Sequence, residues 1–115
     1  MPRAFDGAEL LERVDNDWDF LGDTVQMLAS DGPALLGEIR RAADAGDAPA
    51  VGKAAHTLKG MLSNFCAPGA QAGALAVEQI GKAGELSSLP PAIGLLEVQL
   101  RGLIADLNDF LVKRA

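Results

Sequence analysis

Apolar residues recur every three or four positions along nearly the whole chain, and short polar clusters rich in Asp, Gly and Pro interrupt them. This spacing puts apolar side chains on one face of an α-helix, whereas a half-buried strand alternates at every second residue. Leu and Ala fill most of these positions, and the sequence has four Phe, one Trp and no Tyr. Because Leu and Ala favour helices while β-branched and aromatic residues favour strands, the pattern predicts an all-α fold.

The polar clusters predict where helices begin and end. Asp6 can cap a short first helix that starts at Gly7, and the cluster 15–17 offers a break and a new cap. The next interruption, 30–33, contains a proline, which leaves open two separate helices or one kinked rod. Later interruptions lie at 46–47, 66–69 and 86–90.

These interruptions predict one domain over residues 1–115, with an N-terminal helical segment at 7–30 and a bundle over about 33–114. Since short connections join antiparallel neighbours, we expect an up-and-down antiparallel four-helix bundle preceded by one or two additional N-terminal helices. The alternative is a helical hairpin that dimerises to complete a bundle. In the segment that follows 66–69, the spacing of Leu75, Ala76, Ile80 and Ala83 predicts a further helix.

The net charge of −6 argues against a surface for nucleic acid or for an anionic membrane. No apolar run approaches the roughly 20 residues that cross a bilayer, and residues 1–9 do not resemble a signal peptide. The single cysteine, Cys66, cannot form an internal disulfide, which fits a reducing compartment. We therefore expect a cytoplasmic, monomeric domain that neither binds nucleic acid nor inserts into a membrane.

The most informative segment is the helix predicted over 48–65. Its apolar residues form one buried face, and His56 falls on the opposite face. Within two turns of His56 on that face lie Gly52, Lys53, Lys59, Gly60 and Ser63. A glycine inside a helix costs about 1 kcal/mol relative to alanine, so two of them beside one histidine favour access for a partner protein. The lysines could neutralise a phosphoryl group of about −1.5 to −2 charges. The alternative is an ordinary surface histidine.

Other chemistries lack the residues they need. A metal site is not expected, because there is no second histidine and Cys66 is ten residues from His56. No nucleophile elbow accompanies Ser63 or Cys66. No glycine-rich phosphate loop is present, so we expect no bound ATP or other cofactor.

The sequence Ala-His-Thr-Leu-Lys-Gly at 55–60 resembles the A-H-x-L-K-G signature of histidine-containing phosphotransfer (HPt) domains. Upstream, 42–47 resembles the A-x-x-x-G-D lead-in of that family. Downstream, 63–67 lies where members often have A-N-L-G-A, although Cys66 replaces the glycine, and 77–78 matches an L-E position.

The resemblance implies a helical bundle whose exposed histidine takes a phosphoryl group from a receiver-domain aspartate and passes it to another. It implies no autonomous kinase activity, and the receiver would supply Mg²⁺. By position, His56 would accept the phosphoryl group through Nε2, Lys59 would stabilise its oxygens and Gly60 would clear space. A free-standing protein and a domain of a hybrid sensor kinase both fit. A non-catalytic adaptor is the alternative function.

Glu78 occupies the position where some members have a glutamine that hydrogen-bonds the other ring nitrogen. Its carboxylate could orient the imidazole, or it could be a solvated surface residue. The surface expected to contact a partner comprises Gly52, Lys53, Met61 and Ser63.

Overall fold

The computed structural model describes residues 4–113, which form five α-helices, two short 3-10 segments and no strand. The helices are α1 (Gly7–Arg13), α2 (Trp18–Asp44), α3 (Ala48–Leu62), α4 (Pro68–Ala83) and α5 (Leu89–Val112). Both α2 and α4 pack against α3 and α5, and short connections reverse the chain between successive helices. The all-α, up-and-down four-helix bundle is confirmed, with α1 as the one additional N-terminal helix.

Three aspartates begin helices. The carboxylates of Asp6, Asp17 and Asp47 each accept a hydrogen bond at 3.0–3.1 Å from the backbone N–H three residues further on. These contacts satisfy backbone donors that have no partner within the first turn. They explain why α1, α2 and α3 begin where the sequence predicts a cap.

Of the two alternatives left open at 30–33, the single helix is observed, since α2 continues through Pro33. The boundary placed between 30 and 33 therefore falls inside a helix, and the first helix of the bundle begins at Trp18. A proline usually ends or kinks a helix, partly because its ring clashes with the Cβ of the preceding residue. Here that residue is Gly32, which has no Cβ. Pro33 is exposed, so water can reach the carbonyl that it leaves unpaired.

The helix predicted from Leu75, Ala76, Ile80 and Ala83 is observed as α4, but these four residues do not form its buried face. Leu75 is 39 % exposed, Ala76 and Ala83 are exposed, and Ile80 is only partly buried. The buried residues are Ala70, Gly73, Ala74, Val77, Glu78 and Gly81. Because most of these side chains are small, α4 approaches its neighbours closely, and its larger apolar residues lie at the edge of the contact.

The segment before α2 closes one end of the bundle. Phe5 is buried, and its ring packs edge-on against Phe110 with the centroids 5.3 Å apart. Trp18 contacts the same ring at 5.2 Å, so it packs α2 against α5. The backbone N–H of Asp6 also donates to the carbonyl of Cys66. Within residues 4–113, no helix combines the length and apolarity that crossing a membrane requires.

Candidate functional site

His56 lies in the middle of α3, at the edge that faces α4, and 67 % of its side chain is exposed. The helical spacing predicted this exposed position. One ring nitrogen is engaged, since Nδ1 lies 2.8 Å from Oε2 of Glu78. The ring is therefore open to solvent, while the carboxylate of Glu78 on α4 holds its Nδ1 side in place.

Glu78 is the centre of the site. Its side chain is 1 % exposed, so the solvated surface glutamate considered as an alternative is wrong. Besides His56, two ammonium groups reach its carboxylate. Nζ of Lys59 lies 2.7 Å from Oε1, and Nζ of Lys82 lies 3.1 Å from Oε2. A buried carboxylate is tolerated here because cationic and hydrogen-bonding partners surround it.

These partners keep the Glu78 carboxylate ionised. The Lys59 ammonium is the main cause that lowers the pKa of Glu78 from 4.5 to about 2, and Lys82 and His56 add to it. Burial alone would raise that pKa. An ionised carboxylate can only accept hydrogen bonds, so Nδ1 of His56 carries the proton in the contact. In the neutral ring this leaves the lone pair on Nε2, the exposed nitrogen.

Lys82 was missed from the sequence. It lies four residues after Glu78 on α4, a spacing that brings side chains together on a helix, and it is 70 % exposed. That spacing could have identified it if Glu78 had been known to be buried. Lys59, which the sequence did identify, is 26 % exposed and held more tightly against Glu78.

The two glycines beside His56 serve different purposes. A Cβ added to Gly60 would meet nothing within 4 Å, so this side of the ring is unobstructed. Gly52 is buried, and an added Cβ would contact Glu78 and Lys82 of α4 at 3.7 Å. The expectation that Gly52 contacts a partner is therefore wrong, because this glycine lies in the contact between α3 and α4.

The other residues expected at a partner surface differ in exposure. Lys53 is exposed one turn before His56, whereas Met61 is partly buried and packs against the core. The Ser63 hydroxyl donates to the carbonyl of Gly60 at 2.6 Å, and the Ser63 carbonyl accepts from Arg13 at 2.8 Å. Met61 and Ser63 thus have structural contacts, and their contribution to a partner surface stays a prediction.

Cys66 ends the 3-10 segment Ser63–Phe65 with a φ of 53°, in the left-handed region that favours glycine. This conformation explains why glycine suits the position. Burial raises the pKa of the Cys66 thiol, which disfavours the reactive thiolate form. Among residues 4–113, no group of three His, Cys, Asp or Glu side chains is arranged to hold a metal ion.

The family model described as Hpt domain matches residues 23–110, a range that contains His56, Glu78 and most of the four-helix bundle. The chain belongs to the Hpt domain family. Hpt domains are helical bundles that serve histidine phosphotransfer in two-component systems, as phosphocarriers and not as kinases, and they interact with receiver domains. In this Hpt domain, α1 lies outside the matched range although it packs against the bundle. Comparisons with curated proteins and with solved structures give no significant match.

Proposed function

We propose that this Hpt domain is a phosphorelay intermediate in which His56 accepts a phosphoryl group from one receiver aspartate and passes it to another. The observation that carries the proposal is the contact between Nδ1 of His56 and the buried carboxylate of Glu78. It holds an exposed ring in one orientation and directs the lone pair of Nε2 outward. In this proposal the domain acts as a cytoplasmic monomer.

The chemistry requires an aligned nucleophile and neutralised charge more than covalent work by the protein. The lone pair of Nε2 forms the N–P bond while the P–O bond to the receiver aspartate breaks, and the aspartate leaves as a carboxylate. No proton has to be removed from Nε2, because the proton of the neutral ring is on Nδ1. Glu78 acts in this step as a positioning residue.

Charge near the ring supports the same function. The transferred group carries about −2 charge near neutral pH, by analogy with other phosphorylated side chains. Lys59 and Lys82 meet at Glu78 directly beside His56, and Lys53 is exposed one turn away on α3. These ammonium groups can move towards phosphoryl oxygens, while Gly60 leaves room for the receiver. We propose that the receiver brings the Mg²⁺ that the reaction needs.

The test is transfer from phosphorylated receiver domains. Incubation with a panel of them should label this domain with phosphate that is lost in acid and kept in base, as expected for a phosphoramidate. The His56→Gln variant should show no label while its circular dichroism spectrum stays helical. Label that persists in this variant overturns the assignment. Receiver binding without any transfer of phosphate would establish the adaptor function instead.

A further inference from the structure

The Glu78 carboxylate touches Nδ1, the ring nitrogen that does not receive the phosphoryl group. Building on the proposed function, we propose that Glu78 holds the Nδ1 proton on the ring after phosphorylation and thereby keeps phospho-His56 in a form that can be passed on. Orientation of the unmodified ring and retention of this proton are separate effects, and they predict different pH profiles.

The proton matters because of the leaving group. When the N–P bond forms, the ring keeps its Nδ1 proton and becomes a phosphorylated imidazolium cation. In onward transfer, a carboxylate oxygen of the second receiver forms a P–O bond, the N–P bond breaks and its electron pair returns to Nε2. The ring leaves as neutral imidazole if Nδ1 has kept its proton, but as an imidazolate anion if that proton has been lost. Imidazolate is much the poorer leaving group, so transfer requires the Nδ1 proton.

The structure supplies a fixed negative charge at this proton. Glu78 is 1 % exposed, so its carboxylate stays beneath the ring, 2.8 Å from Nδ1. A charge-assisted hydrogen bond of this kind stabilises the protonated ring more than a neutral acceptor does. A glutamine at this position could orient the ring equally well, but it would lack the charge.

The other charged groups around the ring come from both packed helices. Lys59 and Lys53 belong to α3, and Lys82 belongs to α4. Lys59 and Lys82 pair with Glu78 and keep its carboxylate ionised, but their own positive charge opposes protonation of the ring. A phosphoryl group draws ammonium groups to its oxygens. Once the ammonium groups have turned to the phosphoryl oxygens, they offset less of the negative charge of Glu78, which then attracts the Nδ1 proton more strongly.

The experiment compares the pH dependence of phosphate loss in phosphorylated wild-type protein and in Glu78→Gln, by hydrolysis and by transfer to a receiver. At acidic pH the two rates should be similar. As the pH rises, the rate of phosphate loss should fall first in the variant. The midpoint of this fall should lie about one pH unit lower in the variant than in the wild type, so that above both midpoints the wild type is about tenfold faster. Glu97→Gln is a matched control. It removes a carboxylate that pairs with Arg40 and Arg101 on another face, and its profile should match the wild type.

A second measurement needs only the wild type. Nitrogen-15 NMR of the phosphorylated histidine reports directly whether Nδ1 carries a proton. The midpoint of proton loss should lie at higher pH in the folded protein than in the same phosphoprotein unfolded in urea. This comparison decides the matter if Glu78→Gln cannot be phosphorylated.

The outcomes separate this inference from the function on which it rests. A wild-type protein that accepts no phosphate overturns both. If the wild type is phosphorylated and its rate relative to Glu78→Gln is the same at every pH, Glu78 only orients the ring and the inference is wrong. A midpoint that is no higher in the folded phosphoprotein than in urea overturns it as well, while the relay function stands.

Discussion

Gly52 on α3 and Gly81 on α4 face each other so closely that a Cβ added to Gly81 would lie 2.7 Å from the backbone nitrogen of Gly52. His56 lies one turn after Gly52, and Glu78 lies one turn before Gly81. Since the helices run in opposite directions, the approach of the glycines brings the carboxylate beneath the imidazole. The geometry of the site thus depends on two residues that carry no functional group.

Gly81→Ala should therefore damage both stability and function. The atoms that its Cβ would meet belong to the backbone of Gly52 and Ala48, so the helices must move apart. We expect a loss of about 1–3 kcal/mol in the free energy of unfolding and slower phosphorylation of His56. Urea denaturation and labelling by a phosphorylated receiver measure the two effects.

The control for this prediction is Gly94→Ala in α5, where an added Cβ meets nothing within 4 Å. It should stabilise the protein by up to about 1 kcal/mol, because alanine favours helix more than glycine does. Equal stability of the two variants would contradict the close contact between α3 and α4.

Gly60→Leu should separate folding from partner access. The space around Gly60 is open, so the variant should be at least as stable as the wild type, with a gain of up to about 1 kcal/mol. The added side chain would obstruct a receiver at His56, and we expect transfer to slow by at least about tenfold, or 1.4 kcal/mol. Rapid-quench measurement of labelling tests this. Gly102→Leu, on the open surface of α5, should leave the rate unchanged.

The stability contributed by Glu78 should depend on pH in a defined direction. The pKa of Glu78 is about 2 in the folded protein, against an ordinary value of 4.5. Its ion pairs therefore stabilise the folded state above about pH 4.5, and this contribution disappears as the pH falls towards 2. The difference in free energy of unfolding between wild type and Glu78→Gln should shrink as the pH falls from about 4.5 towards 2. A difference unchanged in strong acid would contradict these pairings.

Replacement of Cys66 tests the left-handed backbone at the end of the 3-10 segment. Cys66→Gly and Cys66→Ala both remove the thiol, but only glycine adopts a φ of 53° without a steric penalty from Cβ. We expect the glycine variant to be more stable than the alanine variant by about 1 kcal/mol, measured by thermal denaturation. If alanine is the more stable replacement, backbone strain at this position is negligible.

The sequence predicts the bundle well where apolar periodicity and helix caps agree. Asp6, Asp17 and Asp47 begin helices as expected, and the apolar faces of α3 and α5 are buried. The sequence leaves open whether the chain breaks at Pro33, because a local rule about proline takes no account of Gly32 or of the packing of the whole helix. A sequence pattern of a few residues does not show whether packing outweighs the effect of a proline.

The candidate site is also predicted only in part. The spacing around His56 predicts its exposed face, but it does not distinguish Gly60, which is open, from Gly52, which is buried. In α4, alanine and glycine are so frequent that hydrophobicity does not define the inner face, and the sequence does not show that Lys82 reaches a buried Glu78. The crossing of α3 and α4 decides these positions, and it depends on contacts between residues far apart in the chain.

The contact between Glu78 and Nδ1 also has a regiochemical consequence. Histidine can form two phosphorylated isomers, the pros form at Nδ1 and the tele form at Nε2. Because the carboxylate occupies the pros nitrogen from inside the bundle, we expect phosphorylation of the folded domain to give the tele isomer. Antibodies selective for one isomer should therefore recognise this phosphoprotein as tele-phosphohistidine alone, and a phosphatase selective for the pros isomer should leave it untouched.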